Sequence, residues 1–251
     1  MDDEQIEPAV RPDGVTRRVG LSLLAVFLAA QVTMMVVSVL VLVSAGSVDS
    51  APADGWLLAL LVLPSSSAAV VAVLGVTWLG GGPRAGRVWR ELAVRWNLRD
   101  VGIGLALGVG GLALTLPAAA AWAAWVGDDQ ATSAVGDAFA GRELSRVAAV
   151  VTFLAVWLIA PLAEELLFRG VLWRALEHLR WNRWVVFAVT SLVFSLAHLE
   201  LLRTPLLLVL SIPIGLARLL TGNLVASVVA HQVNNFLPAL ALLLATTGGL
   251  S

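Results

Sequence analysis

The chain has 251 residues, of which 59% are hydrophobic and 13% are charged. The charged share is about half that of an ordinary soluble domain, so the composition indicates an integral membrane protein. We expect the lipid bilayer as a partner and no nucleic acid. There is no cysteine and no lysine, which excludes disulfides, thiolate catalysis and a lysine Schiff base. Any metal site must therefore use histidine and carboxylate ligands.

Seven apolar segments follow a polar amino-terminal stretch. Residues 1–19, which begin MDDEQIEPAVRPDG, are predicted to form a disordered cytoplasmic tail. A helix needs about 20 apolar residues to cross a bilayer core of about 30 Å. Apolar segments of about this length, two of them shorter, lie at 20–45, 56–80, 101–126, 146–166, 184–199, 205–220 and 223–246. The predicted fold is all-α, a polytopic transmembrane helix bundle with seven or eight spans. The stretch 170–180 either continues the fourth span or lies at the interface.

The distribution of charge predicts the orientation of the bundle. Arginines cluster in the segments 81–100 and 168–183, whereas most of the other connections carry mainly acidic residues. Because cytoplasmic loops are enriched in basic residues, both clusters are predicted to face the cytoplasm. The amino terminus is then cytoplasmic and the carboxyl terminus lies outside. The absence of lysine suggests a bacterial genome rich in G and C, and hence the bacterial plasma membrane.

Polar residues at membrane depth are concentrated after residue 150. Charged side chains there are costly, and they usually mark a transport pathway or a reaction site. The apolar helices of residues 20–140 contain few such groups. The second half holds the following set: Glu164, Glu165, Arg169, His198, Arg218, His231, Asn234 and Asn235. We therefore expect any chemistry to lie in the unit 141–251.

The adjacent glutamates have different neighbours on a helix. Glu165 and Arg169 are four residues apart, so they share a face and are expected to pair. Glu164 is rotated by about 100° and can point elsewhere. Pro161 lacks an N–H and is expected to loosen the helix just before them. The alternative is that both glutamates are solvated at the interface while the arginine snorkels.

Each of two later helices offers one imidazole. His198 lies one turn after Phe194, and His231 lies one turn before Asn235 on the same face. A single histidine in a membrane helix is often only an interhelical hydrogen bond. Three helices that each present groups able to move a proton or bind a metal favour a site.

Three motifs in this order resemble those of a known family. "EELLFRG" at 164–170, "FSLAH" at 194–198 and "HQVNN" at 231–235 are similar to the EExxxR, FxxxH and HxxxN motifs of the CPBP or Abi family. That family includes the type II CAAX prenyl endopeptidases, and its better-known members have eight spans. The resemblance covers roughly residues 145–245. It implies a CPBP-like protease core at 141–251 and a glutamate-dependent intramembrane metalloprotease that acts on a membrane-associated peptide or protein.

The matched residues receive roles from the chemistry of peptide hydrolysis. Glu164 is the candidate general base, and His198 would orient the attacking water or bind a metal. His231 and Asn235 would donate to the oxyanion or, for the histidine, bind a metal. Glu165, with the supporting residues Arg169 and Phe194, would hold the site. Two mechanisms stay open: Zn²⁺ bound by Glu164, His198 and His231, or water activated without a metal.

Two other classes of function use the same residues. An ion-coupled transporter would employ the glutamates and histidines as a proton relay, and it predicts polar groups in both halves of the chain or an inverted repeat. Neither feature is evident. A non-catalytic immunity or scaffold protein of the membrane is the third possibility, and the three complete motifs argue against it.

Overall fold

The computed structural model describes residues 13–46, 54–79 and 85–249, and all regular structure within them is helical. Ten helices cover these ranges when the unbroken helix from Arg146 to His178 is counted once. In chain order they are α1 (Asp13–Ser44), α2 (Asp54–Leu79), α3 (Ala85–Glu91), α4 (Leu98–Val126), α5 (Asp128–Ala131), α6 (Ala134–Phe139), α7 (Arg146–His178), α8 (Arg183–Ala197), α9 (Thr204–Thr221) and α10 (Leu224–Thr246).

The predicted all-α membrane bundle is confirmed, but its number of full spans is not. Six of the described helices are long and apolar enough to cross a membrane: α1, α2, α4, α7, α9 and α10. The remaining predicted segment, 184–199, is the helix α8, whose 15 residues are fewer than the about 20 that a perpendicular crossing needs. The protein is therefore an integral membrane helix bundle with six candidate spans and one shorter apolar helix.

The structure assigns the end of the fourth predicted span and the start of the first. The stretch 170–180 continues the fourth span, since α7 runs without interruption to His178. The helix α1 begins at Asp13, ahead of the predicted start of the first span at residue 20. Residues 1–12, which make up most of the predicted tail, lie outside the described residues.

Hydrogen bonds between connecting segments define two ends of the bundle. At one end, the segment after α3 is bonded to the turn between α9 and α10 and to α7. Leu224 N donates to Ala93 O (3.0 Å), and Asn223 Nδ2 donates to Arg95 O (2.7 Å). Arg174 Nε of α7 donates to Glu91 O (2.9 Å). We call this end the basic end, because Arg95, Arg99, Arg174, Arg180 and Arg183 lie in its segments. The His178 ring, whose Nε2 lies 2.6 Å from Glu91 Oε1, holds the pKa of Glu91 below its usual range by hydrogen bonding.

The opposite end is closed by contacts from the segment before α7. Leu144 N donates to Thr246 O (2.9 Å), at the last residue of α10. Ala134 N donates to Glu200 Oε1 (3.1 Å) in the connection that follows α8. Because α8 starts at the basic end and leads to Glu200 at the opposite end, this short helix also extends between the two ends.

Glycines on one face of α4 bring it close to α10. A Cβ at Gly104 would lie 2.5 Å from Ala226 O, and one at Gly108 would lie 2.7 Å from Val233 Cβ. Neither distance is tolerable for a real side chain, so these positions need glycine for the helices to approach. Small residues at such spacing are the usual means of close packing between membrane helices. This contact fixes the helix that carries His231.

We expect Gly104→Ala to destabilise the fold by about 1–3 kcal/mol, because the added methyl group forces α4 away from α10. The matched control is Gly102→Ala, since a Cβ at Gly102 meets no atom within 4 Å. Unfolding in mixed detergent and SDS micelles gives both free energies. Equal stability of the two variants would show that the α4–α10 contact is looser than described.

Candidate active site

Helix α7 contains two π-helical segments, at Ala155–Ile159 and Leu166–Leu172. Between them lies a short α-helical stretch, Ala160–Glu165, with Pro161 at its start. Proline has no N–H to donate to the preceding turn, which agrees with the predicted loosening of the helix. Insertions of π-helix within α-helices are rare and occur often at functional sites. The two glutamates thus lie at the irregular centre of α7.

The predicted pair of Glu165 and Arg169 is present. Arg169 Nη1 donates to Glu165 Oε1 at 2.9 Å, and both side chains are completely buried. Burial excludes the interfacial, snorkelling alternative for this pair. A buried carboxylate or guanidinium without a partner is strongly destabilising, so each residue needs the other.

His231 lies between the two glutamates. Its Nδ1 lies 3.0 Å from Glu165 Oε1, and its Nε2 lies 3.7 Å from Glu164 Oε2. An ionised carboxylate only accepts, so Nδ1 carries a proton, and a neutral ring with this contact has its lone pair on Nε2. The distance of 3.7 Å is too long for a direct hydrogen bond and suits a bridging water. Glu164 is partly accessible, with 25% of its side chain exposed.

Phe194 separates the two histidines. Its ring centroid lies 5.7 Å from that of His231 and 4.8 Å from that of His198, and the Arg169 guanidinium lies 4.5 Å from the ring. His198 Nδ1 lies 2.8 Å from the Phe194 carbonyl oxygen. Nδ1 is therefore the donor, and Nε2 is left as an acceptor.

The predicted partnership of Glu164 with His198 has no direct contact in the structure. Within the described part of the chain, no hydrogen bond or ion pair links His198 to Glu164 or Glu165. The imidazole near Glu164 is that of His231. Asn235, expected to face the oxyanion, donates through Nδ2 to Val156 O in the first π segment at 3.3 Å. Its amide nitrogen carries a second hydrogen that this bond does not use.

The predicted zinc ligands are of a chemical type that binds metals, but they do not lie close enough together to form a site. Histidines that bind metals usually donate their other ring N–H to a carboxylate or a carbonyl, as His231 and His198 do here. Over the described ranges, however, no three His, Asp or Glu side chains are close enough together to hold a metal ion. The set Glu164, His198 and His231 is not assembled, so zinc stays a prediction.

Arg218 contacts the site without having been assigned a role from the sequence. It is buried, with 1% of its surface exposed, and its Nε donates to Arg169 O at 3.0 Å. The sequence signal was its position as an arginine within the apolar run 205–220. Asn234 is also buried, and its Oδ1 lies 3.4 Å from Thr115 Oγ1.

Comparisons with known proteins match the part of the chain that contains this cluster. A family model described as "Type II CAAX prenyl endopeptidase Rce1-like" matches residues 146–237. An uncharacterised 24.3 kDa protein of Escherichia coli is 32% identical over 98 residues, which are 38% of this chain and 44% of the E. coli protein. The chain thus matches less than half the length of this relative, and no solved structure gave a match. The matched residues contain α7 to α9, all three motifs and the cluster around His231, and this segment of the chain is similar to the Rce1-like type II CAAX prenyl endopeptidases.

Proposed function

We propose that the protein is an intramembrane endopeptidase that hydrolyses a peptide bond of a membrane-associated protein or peptide. The main support for this proposal is the position of His231. Its Nδ1 contacts the buried Glu165, and its Nε2 lies 3.7 Å from Glu164 Oε2. Two acceptors this far apart can both receive a hydrogen bond from one water that lies to the side of the line between them. The similarity of residues 146–237 to the Rce1-like endopeptidases supports the choice of peptide hydrolysis over proton-coupled transport.

In the proposed reaction, Glu164 is the general base. A water held by Glu164 Oε2 and His231 Nε2 has both protons engaged, which leaves a lone pair for the carbonyl carbon of the substrate. Glu164 takes one proton as the C–O bond forms, and it returns this proton to the leaving nitrogen as the C–N bond breaks. The free hydrogen of Asn235 Nδ2 is the proposed donor to the oxyanion.

The remaining residues position this water. Glu165 keeps His231 in the tautomer with its lone pair on Nε2, and Arg169 keeps Glu165 charged and fixed. His198 Nε2, an acceptor on the other side of Phe194, would contact the substrate or the water once the substrate is bound. No step here needs a metal. The residues that would hold zinc are Glu164, His198 and His231, which the described structure does not bring together, and the metal would supply Lewis acidity.

The activity test uses the purified protein in liposomes with a membrane extract as the source of substrates. New amino termini are labelled and identified by mass spectrometry, for the wild type and for Glu164→Gln. We expect cleavage products with the wild type alone, and the cleaved sequences define the substrate. Metal analysis of the same preparation, before and after chelation, decides whether zinc is present. A wild-type sample that cleaves nothing while driving proton-coupled uptake of a solute would support the transporter instead.

We further propose that the membrane is the bacterial plasma membrane and that the basic end faces the cytoplasm. The arginines of the basic end support this orientation. With α8 counted as a crossing, the chain spans seven times and its carboxyl terminus lies outside. Because the chain has no cysteine, single cysteines can be placed cleanly. Arg99→Cys should be protected from an impermeant maleimide in intact cells, and Gln130→Cys should be labelled. The reverse pattern would invert the assignment.

A further inference from the structure

We propose that Arg218 is a positioning residue of the active site, which holds the π-helical backbone of α7 in the geometry that the glutamates require. This inference rests on the proposed function for its catalytic consequence. The structural part, that Arg218 sets the geometry of His231, can be tested without any activity.

Arg218 bonds to the backbone of the second π segment of α7. In an α-helix, the N–H of Trp173 would donate to the carbonyl of Arg169, four residues earlier. Here Trp173 N–H donates instead to Phe168 O and Gly170 O. The Arg169 carbonyl loses its usual α-helical donor, and Arg218 Nε of α9 donates to it at 3.0 Å.

The Arg218 guanidinium is buried. Only 1% of Arg218 is exposed, and its charged group lies 5.5 Å from the Trp173 ring. Its Nη2 has no hydrogen-bond partner in the described structure. A charged group in such a place is costly, and no carboxylate in the described structure forms an ion pair with it. What it contributes is a donor to the Arg169 carbonyl, which has lost its α-helical donor.

A chain of contacts connects the Arg169 carbonyl to His231. Arg169 is fixed by Arg218 through its carbonyl and holds Glu165 through its side chain, at 2.9 Å. Glu165 in turn binds His231 Nδ1 at 3.0 Å. Loss of the Arg218 bond would let the π segment relax toward α-helix. Such a change rotates Arg169 relative to Glu165 and disturbs the orientation of His231.

The test compares Arg218→Met with Arg183→Met. Methionine keeps an unbranched apolar side chain in place of the guanidinium and removes the donor. Arg183 is a suitable control because it is exposed and also lies over a tryptophan, with 5.6 Å between its guanidinium carbon and the Trp184 ring. The control thus loses a contact between a cation and a ring but no bond to the π segment.

The structural readout is the ¹⁵N spectrum of the histidine rings, which is simple because the chain has only three histidines. In Arg218→Met we expect the His231 Nδ1 signal to move toward that of a weaker hydrogen bond, with the His178 signal unchanged. Arg183→Met should match the wild type. A folded Arg218→Met protein with an unchanged His231 signal would overturn the proposal.

The catalytic readout is the separation of kcat from KM. A misplaced catalytic group lowers kcat, so we expect a loss of about a hundredfold in kcat and a KM within about twofold of the wild-type value, because the change alters orientation and not substrate contacts.

Arg218→Lys, which retains a donor, should recover part of both the kcat and the His231 signal, and it replaces the methionine variant if that protein does not fold. A shifted His231 signal in a protein whose wild type cleaves nothing would support the positioning role while rejecting the proposed function. A wild-type kcat in Arg218→Met would contradict the positioning role.

Discussion

Glu164→Gln is expected to lower kcat by about 10²–10⁴-fold and to leave the free energy of unfolding unchanged. Glutamine keeps the size and the hydrogen bonding of the side chain but cannot accept the proton of water. Glu164 is partly exposed, and its nearest described ion-pair partner, His231 Nε2, is 3.7 Å away, so the fold does not depend on its charge. The measurement is peptide release beside unfolding in detergent.

The control for this variant is Glu143→Gln, which removes an exposed carboxylate just before α7. Its kcat should remain close to that of the wild type. If Glu164→Gln turned over as fast as Glu143→Gln in a monodisperse sample, Glu164 would not be the base. Glu165 could not replace it as structured here, because its side chain is completely buried and one of its oxygens is held by Arg169 and His231.

Arg169→Ala is expected to lose both stability and activity. Its removal leaves Glu165 buried without its cation, and breaking a buried pair in this way costs about 3–5 kcal/mol. The same change releases the Phe194 ring, which lies 4.5 Å from the guanidinium, and loosens His231 through Glu165. Free energies of unfolding and peptidase rates would be measured on the same preparations.

Arg183→Ala is the control, because Arg183 is exposed on α8 and its guanidinium carbon lies 5.6 Å from the Trp184 ring. Contacts of an exposed charge contribute about 0–1 kcal/mol, so this variant should stay near the wild type. Equal effects of the two substitutions would mean that the buried pair around Glu165 contributes no more than a surface contact.

Spacing on one helix predicted the contacts within α7. Glu165 and Arg169 are four residues apart, and their pairing follows from the helical repeat even though the second π segment begins directly after Glu165. The pairing of His231 with Glu165 could not be read in this way, because it joins α7 to α10. The motifs gave the order of these residues along the chain but not which imidazole faces which carboxylate. The expected partner of Glu164 was His198, and the structure brings His231 closer.

The π-helical segments of α7 also could not be predicted from the sequence. An apolar run has no pattern that distinguishes a π turn from an α turn, so the sequence gives no sign of the segments Ala155–Ile159 and Leu166–Leu172 beyond Pro161. Arg218 was visible as a polar residue at depth, yet its partner is a backbone carbonyl that only the π segment makes available. Membrane helices were predicted well because each is a long apolar run, whereas α8, with 15 residues, falls short of the length rule.

The most direct test of the account is peptide hydrolysis in H₂¹⁸O by the wild type, Glu164→Gln and His231→Ala. Water activated by Glu164 adds its oxygen directly to the substrate carbonyl, so the account predicts that the amino-terminal fragment of each cleavage by the wild type gains one ¹⁸O in its new carboxyl group. It also predicts that labelled product falls by about 10²-fold or more in both variants, while both remain folded. Labelled product formed at the wild-type rate by either variant would contradict a catalytic centre made of Glu164 and His231.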